Sequence, residues 1–157
     1  MRKIVFIFWC FVVAIVIAIL LMVDDYQKTK RIEDILLSGE FIDAKTFLKV
    51  RKEKTYSSKN GYHSNSIKFK GVYVLKNVDS GKCYVGQSKD VLNRVFSHLS
   101  GSGNGDVYAD FKYGSNFSVV TLPFVDSKFN NLNEMERVCI DYFDSAKNGY
   151  NKTKGNR

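Results

Sequence analysis

The sequence predicts an α+β domain that follows a single transmembrane helix. Three observations lead to this prediction: a long apolar run near the N-terminus, two short β-rich runs separated by a turn, and amphipathic segments with helical periodicity after them. The chain has 157 residues, which is enough for one globular domain and some attached material. Its composition, 45% hydrophobic and 25% charged, is that of a folded protein.

Charge and cysteine content narrow the class of partner. The formal net charge of +8 attracts polyanions such as nucleic acid or anionic lipid, although many soluble domains are also mildly basic. Cys10, Cys83 and Cys139 have neither the spacing of a disulfide framework nor the clustering of a zinc site. The cysteines therefore give no sign of a disulfide scaffold or a structural metal.

The apolar run extends from Ile4 to Val23, twenty residues without a charge. As a helix rising about 1.5 Å per residue it spans roughly 30 Å, the thickness of a bilayer hydrocarbon core. A cleaved signal peptide is the alternative, because Arg2 and Lys3 precede the run. However, the apolar part of a signal peptide is usually about 7–15 residues long and is followed by a small-residue cleavage site. The run ends at Asp24 instead, which favours an uncleaved single-pass anchor.

Basic residues on the two sides of this run are nearly balanced, so the sequence leaves open which side of the membrane the domain faces. We divide the chain into a transmembrane anchor at residues 1–26, a charged helical segment with a polar linker at 27–66, and the compact domain at 67–157. The middle segment has a break at Ser38-Gly39. Its basic run at 49–54 fits either phosphates and lipid headgroups or a solvated helix face.

The domain begins with two predicted strands, "GVYVLKN" and "KCYVGQS", joined by the turn-like "VDSG" into a β-hairpin. With a period of two, Tyr73 shares a face with Gly71, and Tyr84 shares a face with Gly86. Glycine beside a tyrosine in a strand often marks a close approach to the backbone. The structural alternative is a pair of core tyrosines whose hydroxyls find partners at the sheet edge.

The next segment, "SKDVLNRVFSHLSG", predicts a short helix with Ser88 or Asp90 as its N-cap. Arg94 and His98 lie four residues apart on one flank of its apolar arc, so their side chains point the same way. Such a pair suits phosphate binding and proton transfer. It is also common as an exposed pair at the boundary of a core.

A third strand, "NFSVVTL", precedes the longest predicted helix of the domain, "NNLNEMERVCIDYFDS". Glu136 falls inside the apolar arc of this helix, and a carboxylate on the core side needs a partner because burying it alone is costly. Metal coordination would supply one. A capping box, with Asn133 as N-cap and Glu136 at the third helical position, is an equal alternative.

Taken together, these motifs resemble the GIY-YIG nuclease superfamily over roughly residues 67–152. "GVY" and "YVG" stand for its two naming motifs, Arg94 and His98 supply "R-x-x-x-H", Glu136 and Ile140 supply "E-x-x-x-I", and "GYN" closes the match at 149–151. The resemblance implies an α+β fold with a small three-stranded antiparallel sheet flanked by helices. That agrees with the order of hairpin, helix, strand and helix predicted above.

The resemblance also implies a function: a metal-dependent endonuclease that hydrolyses phosphodiester bonds of nucleic acid, with DNA as the first expected substrate. The apolar run at Ile4 to Val23, which departs from the family pattern, adds the expectation that this nuclease is anchored in a membrane. One Mg²⁺ or Mn²⁺ would be held by Glu136 and water. Tyr73 would activate the attacking water, with His98 as a proton relay or as the base itself. Arg94 would stabilise the phosphate and Tyr84 would orient water or phosphate.

The same resemblance implies substrate contacts at Lys82, Gly86 and Asn151. For Asn151 the alternative role is to steady the site. Two other functions fit the sequence. One is a non-catalytic nucleic-acid-binding module on a membrane anchor, which is disfavoured because every polar position expected for catalysis is filled. The other is a tethered interaction domain whose resemblance is structural only.

Overall fold

The computed structural model describes residues 2–53, 55–58, 61–64, 68–125 and 127–155. The predicted domain boundary at residues 66–67 lies outside this description. The helices and strands follow in the order α1 Arg2–Ser38, β1 Ile42–Asp43, α2 Ala44–Glu53, β2 Thr55–Ser58, β3 Gly61–Ser64, β4 Gly71–Asn77, β5 Cys83–Ser88, α3 Val91–Leu99, α4 Gly105–Lys112, β6 Phe117–Pro123 and α5 Leu132–Tyr142. The predicted α+β class is confirmed.

The main sheet is antiparallel with strand order β1-β6-β4-β5, so the predicted β4–β5 hairpin forms one edge of it. Strand β4 is buried on both faces because helices cover both sides of the sheet. Val72 and Val74 face α1 and α5, whereas Tyr73 and Leu75 face α2, α3 and α4. The sheet thus separates two apolar clusters, one on each side.

The resemblance implies a sheet of three strands, but the main sheet has four. The sheet has a fourth strand, β1, whose Ile42 and Asp43 pair with Val119 and Ser118 of β6. Strand β1 has only two residues and both side chains are exposed, so it has no alternating apolar pattern that could be recognised in the sequence. The polar linker predicted at residues 57–66 also differs, since β3 and the second half of β2 lie in it and the two strands form a separate antiparallel hairpin.

Helix α1 is longer than the predicted anchor and ends at Ser38, at the predicted break. Along its first half the described apolar side chains are exposed except that of Val12, which is half-buried; Phe6, for example, is 71% exposed and Leu20 62%. Among the described residues this is one helix long and apolar enough to cross a membrane, a property that signal sequences near the N-terminus share. Its first half therefore has the surface that a lipid-facing helix requires.

The second half of α1 packs on the domain. Ile32 is fully buried in the cluster that includes the apolar face of α5. Lys28 forms an ion pair with Glu134 of α5 at 2.8 Å, and the guanidinium of Arg31 donates to the carbonyl of Lys128 at 2.8 Å. Residues upstream of position 67 therefore contribute to the core of the domain.

Replacing Ile32 with alanine should lower the free energy of unfolding of the domain by about 2–5 kcal/mol, because a buried side chain is truncated in a packed cluster. The matched control is Leu37→Ala in the same helix, where the side chain is 86% exposed and the expected change is within about 0.5 kcal/mol. Urea unfolding of the full chain in micelles, followed by near-UV circular dichroism, measures both. Equal stabilities of the two variants would show that α1 does not support the domain.

Candidate active site

The two tyrosines of the hairpin lie on the same face of the β4–β5 pair. Tyr73 is opposite Gly86, and Leu75 is opposite Tyr84. A Cβ atom at position 86 would overlap the hydroxyl of Tyr73, so only glycine leaves room for that hydroxyl over β5. The close approach predicted from the sequence is therefore one of Tyr73 to the backbone of β5. The ring centroids of the two tyrosines lie 6.3 Å apart.

Helix α3 brings His98 and Arg94 to the same face, as its four-residue spacing predicted. The side chain of Asp90 caps α3 by accepting from the backbone N–H of Asn93. His98 is buried, and its Nε2 lies 2.8 Å from the hydroxyl oxygen of Tyr73, which is also buried. Arg94 is an exposed residue, and its guanidinium acts on the Tyr73 hydroxyl by charge and by a hydrogen bond.

The loop after α3 fixes the protonation pattern of His98. The backbone N–H of Asn104 donates to Nδ1 of His98 at 2.7 Å. A Cβ atom at Gly103 would overlap the imidazole, so glycine allows this loop to pack directly on the ring. Because Nδ1 accepts a hydrogen bond, the proton of the neutral ring is on Nε2, which donates to Tyr73.

Burial sets the pKa values of these groups. Burial and, to a smaller extent, the charge of Arg94 lower the pKa of His98 to about 4, so the ring is neutral at physiological pH. Burial also raises the pKa of Tyr73 and that of Tyr84. The charge of Arg94 opposes this rise at both phenols, whereas the charge of Glu136 adds to it.

The neutral His98 should make the protein less stable in mild acid. Its pKa is lower in the folded chain than in the unfolded chain, where it is near 6.5, so the unfolded chain binds the proton first and gains stability as the pH falls. Between about pH 7.5 and about pH 5 the folded state should lose about 2 kcal/mol through this group. Urea unfolding at both pH values measures the loss. It should be smaller in His98→Gln but unchanged in His63→Gln, the other histidine of the chain. An equal loss in all three proteins would contradict the prediction.

Glu136 approaches from the other side of edge strand β5. It lies on α5, is 6% exposed, and its Oε2 accepts a hydrogen bond at 2.8 Å from Nε2 of Gln87. Gln87 points to the face opposite Tyr84 because side chains alternate along β5. The same Nε2 also donates to Oδ1 of Asn133 at 2.7 Å. Glu136 is therefore attached to the hairpin, and its charge reaches both phenols around the edge of the sheet.

The capping box considered as an alternative for Glu136 does not form. Helix α5 starts at Leu132 and its N-cap is Asn131, whose side chain accepts from the backbone N–H of Glu134. The carboxylate of Glu134 accepts in turn from the backbone N–H of Asn130. Helix α5 is thus capped two residues earlier than Asn133, and Glu136 lies one turn inside it.

A metal ion at Glu136 is compatible with the residues present. No group of three or more His, Cys, Asp and Glu side chains gathers anywhere in the described part of the chain. A carboxylate oxygen is a ligand that Mg²⁺ and Mn²⁺ prefer, and Mg²⁺ in particular keeps several waters when a protein offers one or two carboxylates. Glu136 is one such carboxylate, so its chemistry fits an ion whose other ligands are mainly water.

Two of the predicted substrate contacts, Asn151 and Lys82, differ in how they are held. Asn151 holds the backbone of Val85 on both sides, because its Oδ1 accepts from the N–H and its Nδ2 donates to the carbonyl, both at 2.8 Å. Lys82 is exposed before the start of β5, with Nζ 5.9 Å from the ring centroid of Tyr150. Asn151 thus fixes the residue between Tyr84 and Gly86.

Two residues of the site were not predicted. Gln87 connects Glu136 to β5, and the backbone of Asn104 orients His98. Strand alternation places Gln87 on the face of β5 that points away from Tyr84. The sequence could therefore have indicated that Gln87 points toward the other layer of helices. The contact of Asn104 has no such signal, since it depends on the path of a glycine-rich loop.

Gly86→Ala should lower any cleavage activity that depends on the position of Tyr73, and overpacking should also lower the free energy of unfolding by about 1–3 kcal/mol. The added methyl group must displace the Tyr73 hydroxyl, and a displacement of about 1 Å near reacting atoms can lower a rate by about 100-fold. Gly105→Ala is the matched control, because no heavy atom lies within 4 Å of a Cβ at that position. Initial rates of nucleic-acid cleavage test the difference. Equal rates in the two variants would mean that the position of Tyr73 does not matter.

Comparison with known proteins places this site in a family. No curated protein and no solved structure gives a significant match to the chain. The family model described as the GIY-YIG catalytic domain matches residues 69–151, which contain both tyrosines, the α3 pair, Glu136 and Asn151. A match over more than half of the chain, with these side chains gathered along β5, leads to one conclusion. The protein belongs to the GIY-YIG family of nucleases.

Proposed function

We propose that this protein is a membrane-anchored, metal-dependent endonuclease that hydrolyses phosphodiester bonds, with DNA as the first expected substrate. The observation that carries the proposal is the buried Tyr73–His98 pair beside Arg94, with Glu136 at the same sheet edge. Isolated core tyrosines would not need an adjacent guanidinium and a carboxylate. The net charge of +8 favours a polyanionic substrate.

Tyr73 is the proposed general base. Its phenolate would take a proton from the attacking water, whose oxygen forms a bond to phosphorus while the bond to the leaving oxygen breaks. The leaving oxygen would then take a proton from solvent water. The pKa of Tyr73 is raised by burial, so its phenolate needs stabilisation. Arg94 supplies a positive charge, and Nε2–H of His98 supplies a hydrogen-bond donor that is neutral and permanent at physiological pH. We therefore assign His98 the role of a donor that positions and stabilises Tyr73.

The second role of the site is to bind the phosphate and stabilise the charge that develops on it. The exposed guanidinium of Arg94 can donate to phosphate oxygens and counter the charge that develops on them. Tyr84, half-buried beside it, is placed to orient water or a phosphate oxygen. Glu136 would hold Mg²⁺ or Mn²⁺, which when bound supplies Lewis-acid stabilisation of the phosphate and the leaving oxygen.

The other predicted contacts have supporting parts in this proposal. Asn151 positions β5 through Val85, and Gly86 leaves room for the Tyr73 hydroxyl. Lys82 is an exposed cation at the far end of β5, where it can meet the backbone of a longer substrate.

The anchor is supported by the continuity of α1. The exposed apolar run and the buried Ile32 belong to one helix, so the segment after the run is part of the domain. Carbonate extraction of cell membranes tests this part of the proposal. We expect the full-length chain to stay in the pellet, and its release into the supernatant would remove the anchor but not the nuclease.

Activity is tested with the full chain in detergent micelles on supercoiled plasmid, linear duplex, single-stranded DNA and RNA. We expect nicking or cutting with Mg²⁺ or Mn²⁺ and none with EDTA. Tight binding without cleavage of any form would instead favour the non-catalytic binding module. If the chain neither binds nor cleaves any of these nucleic acids, the remaining function is that of a tethered interaction domain.

A further inference from the structure

A groove of about 450 Å³ lies at the end of the β4–β5 pair, and one of its lining residues, Gln87, contacts Glu136. Its walls come from the residue before β4, the end of β5 with the residue after it, and the start of α5. Its lining residues are Leu132, which is apolar, and the polar or charged Lys70, Gln87, Ser88, Lys89, Asn131 and Asn133. The groove is open to solvent and has the volume of a small-molecule site.

Two lysines flank this groove from opposite strands. Gly71 pairs with Ser88 in the β4–β5 register, so Lys70 and Lys89 lie across from each other just beyond the last pair. Lys70 is held in place, because its Nζ is 4.4 Å from the ring centroid of Phe124 and its carbonyl accepts from the Phe124 N–H at 2.9 Å. Among the described lining residues two are cationic and none is acidic.

The remaining polar groups suit a phosphodiester rather than a point anion. Asn131 and Asn133 bring amides and Ser88 brings a hydroxyl, the groups that contact phosphate and sugar in nucleic-acid complexes, whereas the Gln87 amide already donates to Asn133 and Glu136. None of the described lining residues is aromatic, so the groove lacks a surface on which bases stack. The composition therefore favours the backbone of a strand over its bases.

We propose that this groove binds the sugar-phosphate backbone of the substrate next to the bond that is cut. Gln87 connects the two places, since its side chain lines the groove and donates to Glu136 at 2.8 Å. A strand lying between Lys70 and Lys89 is one side chain away from the catalytic carboxylate. This inference rests on the proposed nuclease function and adds the path of the substrate strand to it.

The test compares two double variants of the full chain in micelles. Lys70→Ala with Lys89→Ala removes the groove cations, whereas Lys76→Ala with Lys112→Ala removes two exposed lysines elsewhere and changes the net charge equally. Lys76 is six residues from Lys70, at the other end of β4, roughly 20 Å away. Fluorescence anisotropy with a labelled duplex and a labelled single strand gives the dissociation constant across a salt series.

We expect the groove variant to bind both the duplex and the single strand more weakly than wild type, whatever the nucleotide sequence. The slope of log K against log salt should become shallower by up to about 1.8 for duplex DNA. The ratio of the wild-type affinity to the variant affinity should therefore fall roughly tenfold as salt rises from about 50 to about 200 mM. The control variant should keep a steeper slope than the groove variant.

Two results would overturn the inference in different ways. If wild type cleaves and the groove variant matches the control in slope, affinity and KM, the groove is not part of the substrate path although the nuclease stands. If wild type neither binds nor cleaves nucleic acid, the nuclease proposal fails and the groove inference fails with it.

Discussion

Replacing Glu136 with glutamine is expected to abolish measurable cleavage, a loss of about 10³-fold or more, because metal stabilisation of a phosphoryl transition state contributes several kcal/mol. Glutamine keeps an oxygen that can accept from Gln87, so the connection to β5 and the fold should persist. The change removes the charge that a divalent ion requires. Plasmid nicking with increasing Mg²⁺ measures the effect, and Mn²⁺ binding by electron paramagnetic resonance provides an independent readout.

Asp141→Asn is the matched control for this variant. Asp141 is an exposed carboxylate on the same helix, so its loss changes the net charge equally without touching the site. Activity and Mn²⁺ binding should stay near those of wild type. A Glu136→Gln protein that cleaves as fast as Asp141→Asn would show that the nicking came from a contaminant or that another ligand holds the metal.

Tyr73→Phe should have the second largest effect, a loss of roughly 10²–10⁴-fold in kcat, which is the usual contribution of a positioned general base. The pH profile carries the more specific information. Since the pKa of Tyr73 is raised, only a small fraction is phenolate near neutral pH, and log kcat of the wild type should rise toward a slope of one as the pH increases. The phenylalanine variant should lose this slope.

Two further variants separate a base from a packing residue. Tyr113→Phe alters a tyrosine that is 85% exposed and should leave rate and slope unchanged. Tyr84→Phe should lower the rate but keep the slope, because an orienting group is not titrated during the reaction. Phenylalanine at position 73 also leaves Nε2–H of His98 without its acceptor, so stability must be measured alongside. A Tyr73→Phe enzyme that keeps the wild-type slope would exclude Tyr73 as the base.

Much of the site followed from short-range patterns in the sequence. The hairpin, the capped helix α3 and the inward position of Glu136 depend on periodicities of two and 3.6 residues, and these are local properties. They identified the tyrosines, Arg94, His98 and Glu136 as candidate site residues. They suggested Asn133 as the N-cap of α5, whereas Asn131 caps it, because both asparagines are good N-caps with a glutamate three residues later.

The extent of the domain was beyond such patterns. Ile32 and Ala44 are fully buried in the two clusters on either side of the sheet, although both precede the segment predicted as a linker. A shortened chain that begins after the linker would lose both of them together with β1. The sequence shows Ile32 only as part of an apolar stripe on a helix, and a stripe does not specify which surface will cover it.

The sequence by itself determined the family, the residues that we propose for the chemistry and the apolar run that can enter a membrane. These depend on residue type, order and spacing along the chain. Only the tertiary structure decided that His98 donates to Tyr73, that Gln87 connects Glu136 to β5, and that α1 supports α5. Each of these contacts joins residues far apart in the chain, and their geometry exists only after the sheet and its helices have packed.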